Sequence, residues 1–190
     1  MRRKQEVKTV YFRSSFAAEM DLYDMSIVCV GRTSVLPGYK FGPFRKGDNS
    51  LIIVCSGRGF VRSSGNEESF SAGDVVGLLQ DQTYMWRTDP QALLKHYWLI
   101  IKGPAGRKCL EALGFSESKS ILYRRKVPET EITLLEELMK FCRLQPEGQS
   151  WKIMALFYEL LPFQRADGRG GAEKRPGIQP LGGRQSPCSH

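Results

Sequence analysis

Two neighbouring predicted strands carry the side chains with the clearest capacity to bind a small molecule. Strict alternation along the later strand places His96 and Trp98 on the same face. In the earlier strand, Tyr84 and Trp86 share a face for the same reason. If these faces line a β-barrel, the rings can stack on a polar ligand while imidazole, indole and phenol groups hydrogen-bond its hydroxyls. The same alternation also fits a packed core in which both tryptophans are filler and His96 is a satisfied core histidine.

The sequence lacks the residue sets and motifs that metal binding and nucleophilic catalysis need. It has two histidines, His96 and the C-terminal His190, whereas a metal site in a β-barrel usually takes two or three imidazoles and a carboxylate. No GxSxG motif, P-loop or helix-opening GxGxxG motif is present. We therefore expect no metal site, no cofactor and no catalytic residue, and we expect that the protein is not an enzyme.

Short β-rich segments separated by turn residues fill the chain from about residue 24 to residue 102. The connections are too short for the crossovers that parallel strands need, so the pattern predicts an antiparallel sandwich or barrel. The stretch from Val35 to Asn49 reads as a wandering loop or an edge because of its glycines and prolines. The predicted strands are Asp24–Gly31, Ser50–Ser56, Phe60–Arg62, Glu67–Ser71, Val75–Leu79, Thr83–Arg87 and Leu93–Lys102.

Beyond the last predicted strand the apolar period lengthens, which predicts helices. Ala105–Leu113 forms a short helix and Pro128–Leu144 a longer one with an apolar stripe. A third helix follows the break at 146–149, with Ser150 as its N-cap, and runs to Pro162. This last helix is apolar on nearly every face, so we expect it to pack against the long helix or another subunit.

The formal net charge of +8 is carried by the two ends of the chain. Residues 1–13 contribute +4 and residues 165–190 contribute +3, which leaves +1 for residues 14–164. The body of the protein therefore lacks the excess of positive charge that attracts nucleic acid, and a nucleic-acid-binding role has only the basic ends in its favour. The basic run Arg124-Arg125-Lys126 reads as a solvated loop between helices.

Cysteine usage and hydropathy point to the cytoplasm. Five cysteines are an odd number without a CxxC pair, and four of them lie in apolar runs, which is typical of reduced core thiols. No apolar stretch approaches the roughly 18 residues of a membrane span, and the N-terminal segment lacks the apolar region of a signal peptide. We expect a cytoplasmic protein without a membrane partner. The cysteines are Cys29, Cys55, Cys109, Cys142 and Cys188.

The order of features from Ser50 to Gly106 resembles the N-terminal effector-binding and dimerisation domain of AraC-family transcription regulators. The preceding loop and the helices that follow extend the resemblance to residues 20–164. The marks that carry it are Gly57-x-Gly59 after a strand, the turn Ala72-Gly73-Asp74, an aromatic strand after Gln80-Asp81-Gln82, and His96-Tyr97-Trp98 ahead of Gly103.

The resemblance implies a mainly β protein with C-terminal helices. The expected fold is an antiparallel cupin-type β-barrel (a double-stranded β-helix, or jelly roll), then a short helix and an antiparallel helix pair. The implied divisions are an N-terminal arm over 1–20, an effector-binding barrel over 21–104, a helical dimerisation region over 105–164 and a flexible Gly/Pro-rich tail over 165–190. It also implies a homodimer formed through the C-terminal helices. DNA would be bound only by a helix-turn-helix part that family members carry and that we expect this chain to lack.

The implied ligand is a small polar metabolite such as a sugar. His96 and Trp98 fall where arabinose-responsive members place a sugar-contacting histidine and tryptophan, and Trp86 falls where they place a stacking aromatic residue. Arg45 lies near the position of a ligand-binding arginine. With Tyr84 from the alternation, these five are the expected binding residues. The alternative is a metal-independent cupin epimerase or isomerase, with His96 as general base and Tyr84 as acid; it needs a second base or a carboxylate inside the barrel, which the sequence does not place.

Overall fold

In the part of the chain that the structure describes, the fold is built from ten β-strands and three α-helices. The computed structural model describes residues 7–13, 24–124, 126–144 and 150–164, and the predicted tail at 165–190 and helix break at 146–149 lie outside them. The strands are β1 (Val7–Arg13), β2 (Ser26–Val35), β3 (Lys40–Arg45), β4 (Asn49–Ser56), β5 (Arg58–Ser63), β6 (Asn66–Ser71), β7 (Val75–Leu78), β8 (Thr83–Thr88), β9 (Leu94–Lys102) and β10 (Ile121–Leu122). The helices are α1 (Pro104–Ala112), α2 (Glu129–Leu144) and α3 (Ser150–Leu160), followed by a short 3-10 turn at Leu161–Gln164.

The strands form two antiparallel sheets that face each other. Six strands run in the order β1-β2-β9-β4-β7-β10, and four run in the order β3-β8-β5-β6. Alternate apolar side chains from both sheets, among them Val54, Val61 and Phe70, fill the space between them. The predicted antiparallel, cupin-type barrel followed by helices is confirmed. The β5–β6 hairpin turns through Ser64 and Gly65, both at positive φ (48° and 85°), as a two-residue hairpin loop requires.

A second core lies on the outer face of the six-stranded sheet. Tyr97, Leu99 and Ile101 of β9 point away from the barrel interior and pack with residues of all three helices, including Leu135 and Phe157. Strands β4 and β9 are thus covered on both faces, which explains why the segment around β4 is almost continuously apolar. Within the described part of the chain, no helix is long and apolar enough to cross a membrane.

Three of the described strands go beyond the predicted set: β1, β3 and the two-residue β10. Val7–Arg13 pairs with β2 along its whole length, from Val7 opposite Val35 to Arg13 opposite Cys29, although its sequence has no clear strand pattern. Lys40–Arg45, expected as a loop or an edge, is an edge strand that contains a cis Gly42-Pro43 peptide and an irregular register against β8. An edge position tolerates a proline because its missing N–H would otherwise face solvent.

The first residue of the basic run between β10 and α2 is buried, whereas a solvated loop was predicted there. Arg124 is only 5% exposed. Its guanidinium forms an ion pair with Glu131, with 2.9 Å between Nη1 and Oε2. It also donates to the Gly73 carbonyl at 3.0 Å and to the Phe163 carbonyl. The prediction was wrong here because two of these three acceptors, the Gly73 and Phe163 carbonyls, come from segments far along the chain, which periodicity cannot show.

Removing the carboxylate from this buried pair should destabilise the fold strongly. In Glu131→Gln, the Arg124 charge stays buried without its counter-charge, so we expect the free energy of unfolding to fall by about 3 kcal/mol. Urea denaturation followed by circular dichroism measures the loss.

The matched control is Glu137→Gln on the same helix. Glu137 lies 3.9 Å from Lys152 in a pair whose side chains are both about two-fifths exposed, so its loss should cost no more than about 0.5 kcal/mol. Equal, small losses in the two variants would contradict the central role assigned to the buried pair.

Candidate functional site

The interior of the barrel brings together four of the five residues predicted to bind a ligand. Tyr84 and Trp86 enter it from β8, and His96 and Trp98 enter it from β9, in each case at alternate positions of the strand. The Trp86 ring lies 6.0 Å from the His96 ring and 4.4 Å from the ring of Phe70, measured between centroids. These aromatic rings form one wall of the interior around a single imidazole.

Trp98 is positioned by close contact with β2. An added Cβ at Gly31 would lie 2.7 Å from the Trp98 ring, so only glycine allows the indole to lie across this strand. The indole Nε1 donates a hydrogen bond to the Thr33 hydroxyl at 2.9 Å. The predicted strand ends at Gly31, so Thr33 is not among the predicted site residues. The signal that could have found it is the alternation beyond that glycine.

Strand β1 contributes to the same end of the barrel. The hydroxyls of Thr9 and Thr33 lie 3.1 Å apart, within hydrogen-bonding distance. The Tyr11 ring lies 6.1 Å from the Trp98 ring. Part of the predicted N-terminal arm therefore contacts the residues that were expected to hold the ligand, while the rest of that arm lies outside the described residues.

In this aromatic wall, the His96 imidazole has a ring nitrogen that makes no hydrogen bond to another described residue. Its Nδ1 atom is buried and has no hydrogen-bond partner within the described part of the chain. Burial lowers the pKa of His96 to about 4, so the ring is neutral at pH 7. A neutral imidazole offers one donor and one acceptor. Both are suited to a hydroxyl group of a bound molecule.

Tyr84 is held in place by a backbone group. Its phenol oxygen accepts a hydrogen bond of 2.8 Å from the Leu79 N–H, and burial raises its pKa. The Tyr84 hydroxyl therefore ties β8 to the end of β7. The phenol O–H proton is not used in this contact, so the proton-donor role in the epimerase alternative stays a prediction.

Arg45 is not brought to the other four residues. Its side chain is 72% exposed and pairs with Asp81 at 3.1 Å. The preceding residue, Phe44, is the one that packs inward, with its ring 6.2 Å from that of Tyr84. Neighbours on a strand point to opposite faces, so Arg45 faces solvent.

The groups that converge in the barrel are uncharged. They are a neutral imidazole, an indole N–H and two threonine hydroxyls, set beside aromatic rings. Among the described residues, no group of three or more His, Cys, Asp or Glu side chains is placed to hold a metal ion. The arrangement can hydrogen-bond and stack on a neutral polar molecule.

The lowered pKa of His96 makes stability depend on pH. In the unfolded chain the imidazole takes up a proton below pH 6.5, but in the folded protein it does so only near pH 4. Between these values the unfolded state binds more protons, so the free energy of unfolding should fall as the pH drops from 6.5 to 4, by up to about 3 kcal/mol. Above pH 6.5 this group should contribute no pH dependence.

His96→Leu separates this effect from the titration of the carboxyl groups. Chemical denaturation of both proteins across the pH range gives two stability curves, and their difference should change only below pH 6.5. His190 is present in both proteins and cancels. Parallel curves would show that His96 has an ordinary pKa and is not buried as described.

Comparison with known proteins finds similarity in fold. No protein-family model matches the chain, and no curated protein matches it. A solved structure of a predicted oxalate decarboxylase from Thermotoga maritima is 20% identical, with a TM-score of 0.43 over 52% of this chain and 82% of that one. A Cupin 2 conserved barrel domain protein from Salinispora arenicola is 18% identical, with a TM-score of 0.40 over 59% and 88%. The cupin domain of Schizosaccharomyces pombe Cnp3 is 10% identical, with a TM-score of 0.43 over 59% and 75%. At identities of 20% and below, the similarity concerns the fold alone.

Proposed function

We propose that this chain is the ligand-sensing and dimerisation domain of an AraC-type transcription regulator. Its barrel binds a small, neutral, polar metabolite of the sugar or polyol class. It acts in the cytoplasm by binding and not by catalysis. Contact with DNA belongs to a helix-turn-helix part outside these residues, in keeping with the net charge of +1 over residues 14–164.

The observation that carries the proposal is the Nδ1 atom of His96, which is buried and has no hydrogen-bond partner among the described residues. A buried polar atom without a hydrogen bond costs about 1–3 kcal/mol, so proteins seldom keep one without a use. A hydroxyl of a bound molecule would supply the missing bond. Trp86 and Trp98 beside it offer ring faces for the carbon skeleton of the same molecule.

The side chains proposed to bind the ligand contact β1, so ligand binding can affect the N-terminal segment. Trp98 donates to Thr33, Thr33 lies within hydrogen-bonding distance of Thr9, and Tyr11 lies beside the Trp98 ring. A ligand that moves the Trp98 indole would change these contacts between the barrel wall and β1. We propose that the segment 1–20 responds to the effector in this way.

The exposed face of α3 supports the dimer part of the proposal. Trp151 is 63% exposed and Tyr158 is 55% exposed. They lie seven residues apart, which places them on one face of the helix two turns apart. The opposite face is buried against α2 and the six-stranded sheet through Ile153 and Phe157. A second copy would cover the exposed aromatic residues.

Ligand binding is tested with a panel of L-arabinose, D-xylose, D-galactose and ribitol. We expect at least one of them to raise the melting temperature of the wild type and to bind in isothermal titration calorimetry. In His96→Leu the unsatisfied nitrogen is gone, so the free protein should be as stable as wild type or more stable by about 1 kcal/mol. That variant should bind the same compound at least tenfold more weakly.

Met85→Ala is the matched control, because Met85 lies between Tyr84 and Trp86 on β8 but faces solvent. It should bind the ligand like wild type. A wild-type protein that responds to none of the four compounds, or a His96→Leu variant that binds like wild type, would contradict the proposed ligand class.

The dimer is tested by sedimentation velocity at micromolar concentration. Tyr158→Arg places a charge on the exposed face of α3 and should convert the wild-type dimer to a monomer, because burying an unpaired charge is costly. Glu159→Arg, at the neighbouring exposed position, should remain dimeric. A monomeric wild type at these concentrations would contradict the dimerisation proposal without affecting the ligand proposal.

A further inference from the structure

A cleft of about 460 Å³ opens on the outer face of the six-stranded sheet, opposite the barrel interior. It lies where β1, β2 and β9 approach the first half of α2. Its volume falls in the range of small-molecule sites. Its lining includes Lys8, Arg32, Ser34, Lys95, Tyr97 and Ile132.

Three basic side chains come from neighbouring strands at this cleft. Lys8 lies opposite Ser34 in the β1–β2 pair, and Ser34 lies opposite Lys95 in the β2–β9 pair. The backbones of these lysines are therefore about 10 Å apart, with a serine hydroxyl between them. Arg32 lies two residues along β2 from Ser34 and so shares its face of the sheet. The lining contains no aspartate or glutamate.

One carboxylate at the edge of the cleft offsets only one of these charges. Glu136 of α2 accepts a hydrogen bond from Arg32 at 2.9 Å and another from the Tyr97 hydroxyl. Within the described residues, Lys8 and Lys95 make no side-chain ion pair. Their mutual repulsion is therefore uncompensated, and a bound anion would relieve it.

The cleft also has apolar surface. Val10, Ile132 and the ring of Tyr97 supply it. Cys55 adds a half-buried thiol, and burial raises its pKa to about 11, so it is neutral at pH 7. A ligand that fits this cleft has an apolar body for these side chains and a negative group for the two lysines.

We propose that this cleft is a second binding site, for a small organic anion that carries a carboxylate or a phosphate group on an apolar body. The site is independent of the barrel interior, whose polar groups are uncharged and suit a neutral molecule. Thr33 and His96 border both spaces because β2 and β9 form the wall between them. The chain would thus bind two chemically different ligands on opposite faces of the same two strands.

The experiment is calorimetric titration of the full chain with phenyl phosphate, benzoate and benzyl alcohol. These probes share an aromatic body and differ in their polar group. We expect at least one of the two anions to bind, at least tenfold more tightly than the neutral alcohol. In Lys8→Gln/Lys95→Gln, binding of that anion should weaken by about tenfold, because each exposed lysine contributes up to about threefold. Binding should also weaken as salt is added.

The matched control is Lys102→Gln/Lys108→Gln, which removes the same charge at exposed lysines outside the cleft. It should bind the anion like wild type. Three outcomes overturn the proposal: neither anion binds the wild type at millimolar concentration, the control loses as much affinity as the cleft variant, or the cleft variant binds like wild type. The last result would place the anion elsewhere, for example in the barrel.

Discussion

The buried guanidinium of Arg124 joins parts of the chain that are distant in sequence. Taking a guanidinium out of water costs several kcal/mol, and only close acceptors offset that cost. Here they are the Glu131 carboxylate in the first turn of α2, the Gly73 carbonyl before β7, and the Phe163 carbonyl after α3. One side chain therefore links the start of α2, the end of α3 and the turn before β7, in addition to the apolar contacts that hold the helices on the sheet.

With the helices held against it, the six-stranded sheet is covered on both faces, and β2 and β9 present two different surfaces. Toward the barrel they place Thr33, His96 and Trp98, which are uncharged and lie among aromatic rings. Toward the helices they place Arg32 and Lys95 at a cleft open to solvent. A charge on the inner face would have to be desolvated, whereas at the rim of the cleft it stays hydrated. The alternation of a strand thus separates a site for neutral ligands from a site for anions.

Much of the barrel followed from local pattern. The hairpin at Ser64-Gly65 and the apolar run of β4 could be predicted from the sequence because turn chemistry and alternation are properties of neighbouring residues. Strand β1 could not be predicted in this way, since its strand conformation comes from pairing with β2. The true length of β2 was hidden as well. Gly31 looks like a strand terminator, yet it is present because the Trp98 ring lies across it.

For the site, the sequence by itself determined which residues could share a face: His96 with Trp98, and Tyr84 with Trp86. Only the tertiary structure decided what each face meets. Phe44 packs inward, so the next residue of β3, Arg45, faces solvent. The Leu79 N–H occupies the Tyr84 oxygen, and the Nδ1 atom of His96 is left without a partner among the described residues. The physical reason is one of range: backbone geometry sets the direction of a side chain within a few residues, whereas its partners come from strands and helices far along the chain.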